Sequence, residues 1–417
     1  MNFRYLVFIS ALVCLPFASW TETRLAASCS FADVNTALSA ASDGDTVILP
    51  AGSATWSSTL QVTKAITLMG SGLNLTVLTA ISRDTSMIHL NPGANKAIRV
   101  TGIGFIDGYC VVDITGTQGG TFVLDKIRID HCSFLLGHTN LRSFGWVEGL
   151  IDHNIFLNCD RAILITGDNQ ISWTRPIEAG TSHSLFIEDN TFKQTNAGGG
   201  GLNESVYHWE GARTVIRYND FNGTEYESYD FVPFDSHGNQ SYYNGVSDSR
   251  GQPIIEVYNN TFRFHHSYRV CYFRSGSILF HDNAFTFASH SDADIVLTDE
   301  ESWQSAYFSP LRTTWAAEDQ IMNSFFWNNT RNGNPITTIT LLKATDEPFI
   351  QKDRDYFMHA PQAIGGKASY TGRQGGAEVF SAARANAYYP YVPFTYPHPL
   401  QEAGVNAPTA PTGLRIR

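Results

Sequence analysis

The residues of this chain best suited to chemistry fall in short segments at 161–167, 205–211, 231–238 and 270–276, each of which ends in glycine. If these are β-strands aligned by their glycines, side-chain alternation puts His208 and Glu210 on one outward strip, with Asp235 and His237 beside them and Arg274 next. Two carboxylates, two imidazoles and a guanidinium on one strip have no evident packing role and are costly to desolvate, which is the make-up of a reaction centre. An arginine can neutralise a bound carboxylate, and a histidine can take the proton that this acidifies. The carboxyl pair Glu210 and Asp235 can instead divide acid and base between them, or hold a calcium ion. Tyr207, Trp209, Arg250, Arg269 and Tyr272 lie close by in sequence and suit substrate binding through aromatic faces and guanidinium forks. A merely solvated polar face would spread such residues evenly, whereas six of the 13 histidines lie between positions 208 and 290.

Something must hold these strands in line, and a repeat supplies it. A pattern of alternating apolar residues, a turn and then Phe recurs at 98–105, 127–134, 150–156, 185–192, 215–221, 255–262 and 278–285. The closing Phe residues stand 22 to 41 positions apart, which describes a coil of fixed minimum length with insertions. Stacked coils place one inward position directly above the next, so Phe105 to Phe285 should form an aromatic column. Asn154, Asn190, Asn219, Asn260 and Asn283 should occupy a tight turn and bond the amide of the next coil.

Composition agrees with such a fold. The 417 residues include 34 glycines and only 16% charged side chains, the wrong mixture for helical bundles. A net charge of −11 without any Lys/Arg run argues against nucleic acid or an anionic membrane as the main partner. Residues 1–27 read as an export signal: Arg4, an apolar run from Tyr5 to Phe17, and cleavage after Ala18 or near Ala27. Secretion or a periplasmic location follows. Beyond Cys14 the five cysteines show no metal-type spacing and are expected as buried free thiols. The coil is expected over 28–342, with 336–342 as a last strand. A wrapping segment over 343–405 follows, rich in Tyr and Pro from 388, and then a linker-like tail over 406–417.

The opening at 31–52, with its apolar helix positions Val34, Leu38 and Ala41, and the stretch 60–72 resemble the start of right-handed parallel β-helix proteins of the pectate-lyase-like superfamily. The resemblance implies an all-β, single-stranded right-handed parallel β-helix (a β-solenoid) with an N-terminal capping helix. It also implies three strands per coil and a polysaccharide laid along the first of them, flanked here by the insertions at 193–203 and 239–252. The expected activity is that of a secreted polysaccharide lyase, acting as a monomer on a uronate-containing glycan by β-elimination. A glycoside hydrolase using Asp235 and Glu210 is the alternative, and a non-catalytic carbohydrate-binding or adhesin coil is a third. What separates the first two is whether Asp235 faces Arg274 and the histidines or faces the other carboxylate. The lysine-based proton abstraction of several β-helix lyases has no candidate in the central coils, since no lysine lies between Lys193 and Lys343, and the sequence gives no clear match to the aspartate triad of the polygalacturonase-like hydrolases.

Overall fold

The computed structural model describes residues 21–120, 122–168, 172, 175–195, 203–227, 231–238, 251–265, 269–287, 294–298, 321–343, 350–364, 367–368 and 388–402. Of the expected export signal at 1–27, residues 1–20 lie outside them, as do Arg250 and the tail from 403; residues 21–27 are described, and Thr23–Leu25 pairs as a strand with Thr46, Val47 and Ile48. The chain winds into a parallel β-helix. Among the described residues three sheets run along it with 10, 12 and 11 strands, and apart from an antiparallel pair at 330–335 the strands pair in parallel with their counterparts in adjacent coils. One coil illustrates the rest: Glu204–Trp209 lies in the first sheet, Arg213–Arg217 in the second and Asp220–Glu225 in the third.

The repeat therefore spans two strands and not one, with Asn at the corner between the second and third sheets and Phe just inside the third. In-register pairing stacks the rings of Phe105, Phe134, Phe156, Phe192, Phe221, Phe262 and Phe285 at centroid distances of 4.7 to 5.1 Å. At the corner each asparagine donates Nδ2–H to the next one's Oδ1, from Asn154 through Asn190, Asn219, Asn260 and Asn283 to Asn329, at 3.0 to 3.1 Å. The same Oδ1 atoms accept backbone N–H groups, so a turn buried between coils keeps its amides paired. The residue before each ladder position takes a left-handed φ near +55°, and histidine, aspartate or asparagine fills it in most coils.

The helix Phe31–Ala40 closes the N-terminal end of the coil. Ser30 caps it, accepting from Asp33 N at 3.3 Å, and Val34, Ala37 and Leu38 are buried with Ala41 just beyond. Lys64 Nζ donates to the carbonyls of Leu38, Ser39 and Ala41 at the other end. At the far end the coil thins: within 336–342 only Thr340–Leu341 pairs as a strand, with Val296 and Leu297. All five described cysteines are buried free thiols, and burial pushes the Cys110 thiol up to about 11.

Through its middle strands, from Val147–Asp152 to Ser277–His281, the second sheet is buried on both faces, and residues 388–402 lie along its outside there as a strap. Tyr388 donates to Ser277 Oγ at 2.6 Å, Tyr391 to Glu256 Oε2 at 2.6 Å, and His398 N to Glu188 Oε1 at 2.9 Å. Arg217, with no exposed side-chain surface, bonds Glu188, Tyr258 Oη and the strap carbonyls of Phe394 and Thr395. Arg128 bonds Asp152 with Nε and Nη2 and the carbonyls of Leu400 and Gln401 with Nη1. The proline-rich segment thus runs along the coil and not over its end.

Candidate active site on the first sheet

Register in the first sheet decides which side chains meet. Tyr207 pairs with Asp235, and Asp235 with Tyr272, so these three face outward on adjacent coils. Lining up the terminal glycines instead pairs His208 with Asp235, a slip of one residue, and in a strand one residue changes the face. The glycines mislead because they serve different needs. Gly211 and Gly276 have φ of +77° and +75°, whereas a Cβ on Gly167 would sit 2.4 Å from Ala212 N.

His208 is accordingly not on the strip. It points into the coil, is fully buried, meets Thr214 Oγ1 at 2.8 Å and packs on Phe234. Burial lowers it to about 3, so it stays neutral and serves the core. Glu210 is displaced as well: it follows the strand at φ +50° and is half-buried. Burial raises its carboxyl above the usual range with no contribution from Asp235.

The structure does bring together Asp235, His237 and Arg274. Arg274 Nη2 donates to Asp235 Oδ2 at 2.7 Å and its Nη1 meets His237 Nδ1 at 3.0 Å, while His237 Nε2 stands 3.8 Å from Asp235 Oδ2. A guanidinium can only donate, so Nδ1 of His237 must be the acceptor. The proton facing the site then sits on Nε2, which makes His237 a donor there and not the base expected from sequence.

Tyr207 packs its ring 4.7 Å from that of His237, and Trp209 follows at 5.9 Å. Arg269 and Arg274 both lie 4.3 Å from the centre of the Tyr272 ring. Two residues absent from the sequence reading complete the cluster. Arg161 lies 4.7 Å over the Tyr207 ring and bonds Glu204 Oε2 at 2.6 Å. Their signal was present, since Arg161 opens a strand already singled out, but Glu204 stands one position before its segment.

The cluster is enclosed rather than solvent-facing: Asp235, His237 and Arg274 are 1%, 7% and 6% exposed. Burial, then the charges of Asp235 and Glu204, push the Tyr207 hydroxyl far up, so it remains a phenol. Glu204 is also raised, by burial and then by Asp235, against the pull of Arg161. Asp235 Oδ1 and the Trp209 indole N–H are buried and make no hydrogen bond. An open acceptor and an open donor in a polar, enclosed cluster are what a ligand's groups would fill.

Glu210 and Asp235 do not fit a calcium ion as they stand. Asp235 Oδ2 is bonded to Arg274, Glu210 is set apart, and among the described residues no three carboxylate, imidazole or thiol groups converge.

No protein-family model matches the chain, and no curated protein matches it by sequence. Among solved structures it is similar to an alginate lyase from Paenibacillus sp. str. FPU-7, at 12% identity and a TM-score of 0.37 over 77% of this chain and 97% of that one. It is also similar to a mutant of the PL6 family alginate lyase AlyGC, at 13% identity and a TM-score of 0.35 over 91% of this chain and 57% of that one.

Proposed function

We propose that the protein is an exported polysaccharide lyase that cleaves a uronate-containing glycan by β-elimination. One observation favours this over hydrolysis: Asp235 faces Arg274 and His237, at 2.7 and 3.8 Å, and not Glu210. Elimination needs positive charge at the substrate carboxylate, an acceptor for the proton on the neighbouring carbon and a donor for the departing oxygen. Arg269 and Arg274 supply the charge. Asp235 Oδ1, the open acceptor, takes the proton. The electron pair left behind forms the new carbon–carbon double bond as the glycosidic C–O bond breaks, and Tyr207 protonates the leaving oxygen. His237 Nε2–H steadies the charge that builds on the substrate carboxylate, and Trp209 offers a face for the sugar ring. Export is supported by the apolar run between Tyr5 and Phe17.

A second reading, hydrolysis, draws on Glu204, whose carboxyl is raised partly by Asp235 and so suits a general acid beside it. Its bond to Arg161 speaks against that role.

The deciding assay incubates the purified protein with alginate, polygalacturonate and hyaluronan, with calcium and then with chelator, and follows ultraviolet absorbance and reducing ends together. Rising absorbance marks the unsaturated uronate that elimination alone creates, and its persistence in chelator assigns the charge to arginine rather than metal. New reducing ends without absorbance would replace the lyase by a hydrolase. Neither signal on any polymer would leave a binding coil and overturn the enzyme.

A further inference from the structure

The outward row that carries Tyr207 and Asp235 does not stop at the cluster. In register it runs back through Leu164, Arg142, Asp113 and His89 to Gln61. The row beside it runs from Trp209 through Thr166 and Phe144 to Thr115. Toward the N-terminal end the first row emerges: Tyr207 and Asp235 are buried, Leu164, Arg142 and His89 are half-buried with Asp113 buried between them, and Gln61 is exposed, while in the second row Trp209, Phe144 and Thr115 are half-buried and Thr166 is buried. The enclosed cluster is therefore the deep end of a strip that opens along the coil.

We propose that Arg142 and Phe144 form a second sugar subsite, taking a carboxylate-bearing residue of the same polysaccharide chain that reaches Asp235. The identity of that chain rests on the lyase reading; the subsite rests on the following geometry. Asp113, 9% exposed, grips the guanidinium of Arg142 side-on, Nε at 2.8 Å and Nη2 at 2.6 Å. That grip orients the group and leaves Nη1, with two donors, outside the pair. The Arg142 side chain keeps 32% of its surface exposed, so the fixed fork is accessible. Phe144 stands two residues on, on the same face, and presents a half-buried ring. A preset anion fork beside an aromatic face is the chemistry that holds an acidic sugar. At about 4.8 Å per coil, Arg142 is three coils or about 14 Å from Asp235, and Phe144 is two coils or about 10 Å from Trp209. The side-on grip itself recurs at structural pairs such as Arg128–Asp152; what sets Arg142 apart is that its gripped fork keeps exposed surface and stands beside a half-buried aromatic ring, where the Arg128 side chain is 8% exposed and closed over by the strap.

The test compares wild type with Arg142→Gln and, separately, Phe144→Ser, each checked for an unchanged melting temperature, so that one misfolded variant does not decide the matter. Steady-state kinetics are run on alginate and on its size-fractionated oligosaccharides, and migration is measured in gels containing alginate, polygalacturonate or hyaluronan. The expected result is a KM raised roughly tenfold on polymer with kcat kept, and no change on oligosaccharides too short to span three coils. Equal effects on short and long substrates, or none on either, would overturn the subsite while leaving the lyase standing. Retardation of wild type in the gels that the variants lose, without any unsaturated product, would keep the subsite and sink the lyase. Wild type that no acidic polymer retards and none is cleaved by would overturn both.

Discussion

The outer faces of the first and second sheets are built from the same kinds of residue, and they are finished differently. Beneath the strap, Arg217 spends its donors on Glu188, Tyr258 and two strap carbonyls, and both oxygens of Glu188 are taken, Oε2 by Arg217 and Oε1 by His398 N and Gln401 Nε2. On the first sheet, Arg274 ties Asp235 by one oxygen only, and Asp235 Oδ1 and Trp209 Nε1 have no partner. Both faces bury charge, so burial does not separate structure from function here. Completeness of hydrogen bonding does. A closed network fixes one conformation, whereas a face with an acceptor and a donor left over carries a cost that a ligand's polar groups, or ordered water, can remove.

The sharpest way to break this contrast is to strike the same kind of pair on each face. Arg217→Met leaves Glu188 buried without its partner and should cost about 3 to 5 kcal/mol by denaturant unfolding. Asp235→Asn should lower turnover about 10² to 10⁴-fold while shifting stability by no more than about 1 kcal/mol, since the amide can still accept from Arg274. If the first variant is stable, or the second unfolds, the two faces do not differ as described. Trp209→Phe removes the unused N–H together with the five-membered half of the indole but keeps an aromatic face, so KM should rise roughly tenfold with little change in melting temperature.

The smallest effect concerns pH. His398 in the strap is lowered to about 4 by burial first and then by Arg217. A histidine depressed in the folded state binds its proton more readily when unfolded, so its contribution to stability is complete above about 6.5 and is lost as pH falls through about 4. Melting temperature should decline on acidification across that window, and His398→Asn should flatten the slope. An unchanged slope would remove the strap from the pH response.

Most of the coil was legible in the sequence because one side chain per turn reports it. Phe192, Phe221 and Phe262 and the neighbouring asparagines recur at fixed offsets, and stacking makes every recurrence a contact. The strip on the first sheet was legible only in part. Asp235, His237 and Arg274 share parity within their own strands and were found, but relating one strand to the next needs register, which the glycines do not mark. His208 was therefore taken for Tyr207's place. Glu204 lay outside its segment, and nothing local distinguishes a carboxylate held by Arg161 from an ordinary exposed one. The tautomer of His237 depends on Arg274, 37 residues away, and no pattern along the chain encodes it.

The strap also sets the order in which the protein can be made. Ladder bonds join residues 22 to 46 positions apart, from Cys132–Asn154 to Asn283–Asn329, so each coil can settle on its predecessor as the chain is synthesised. The bond from Arg128 to Leu400 spans 272 positions and must wait for nearly all of it. Until then Arg128, Arg217 and Glu188 lie along an unfinished seam open to water. Closing that seam has to follow the coils it spans, and its reopening, rather than fraying of any single coil, is where the finished molecule should begin to come apart.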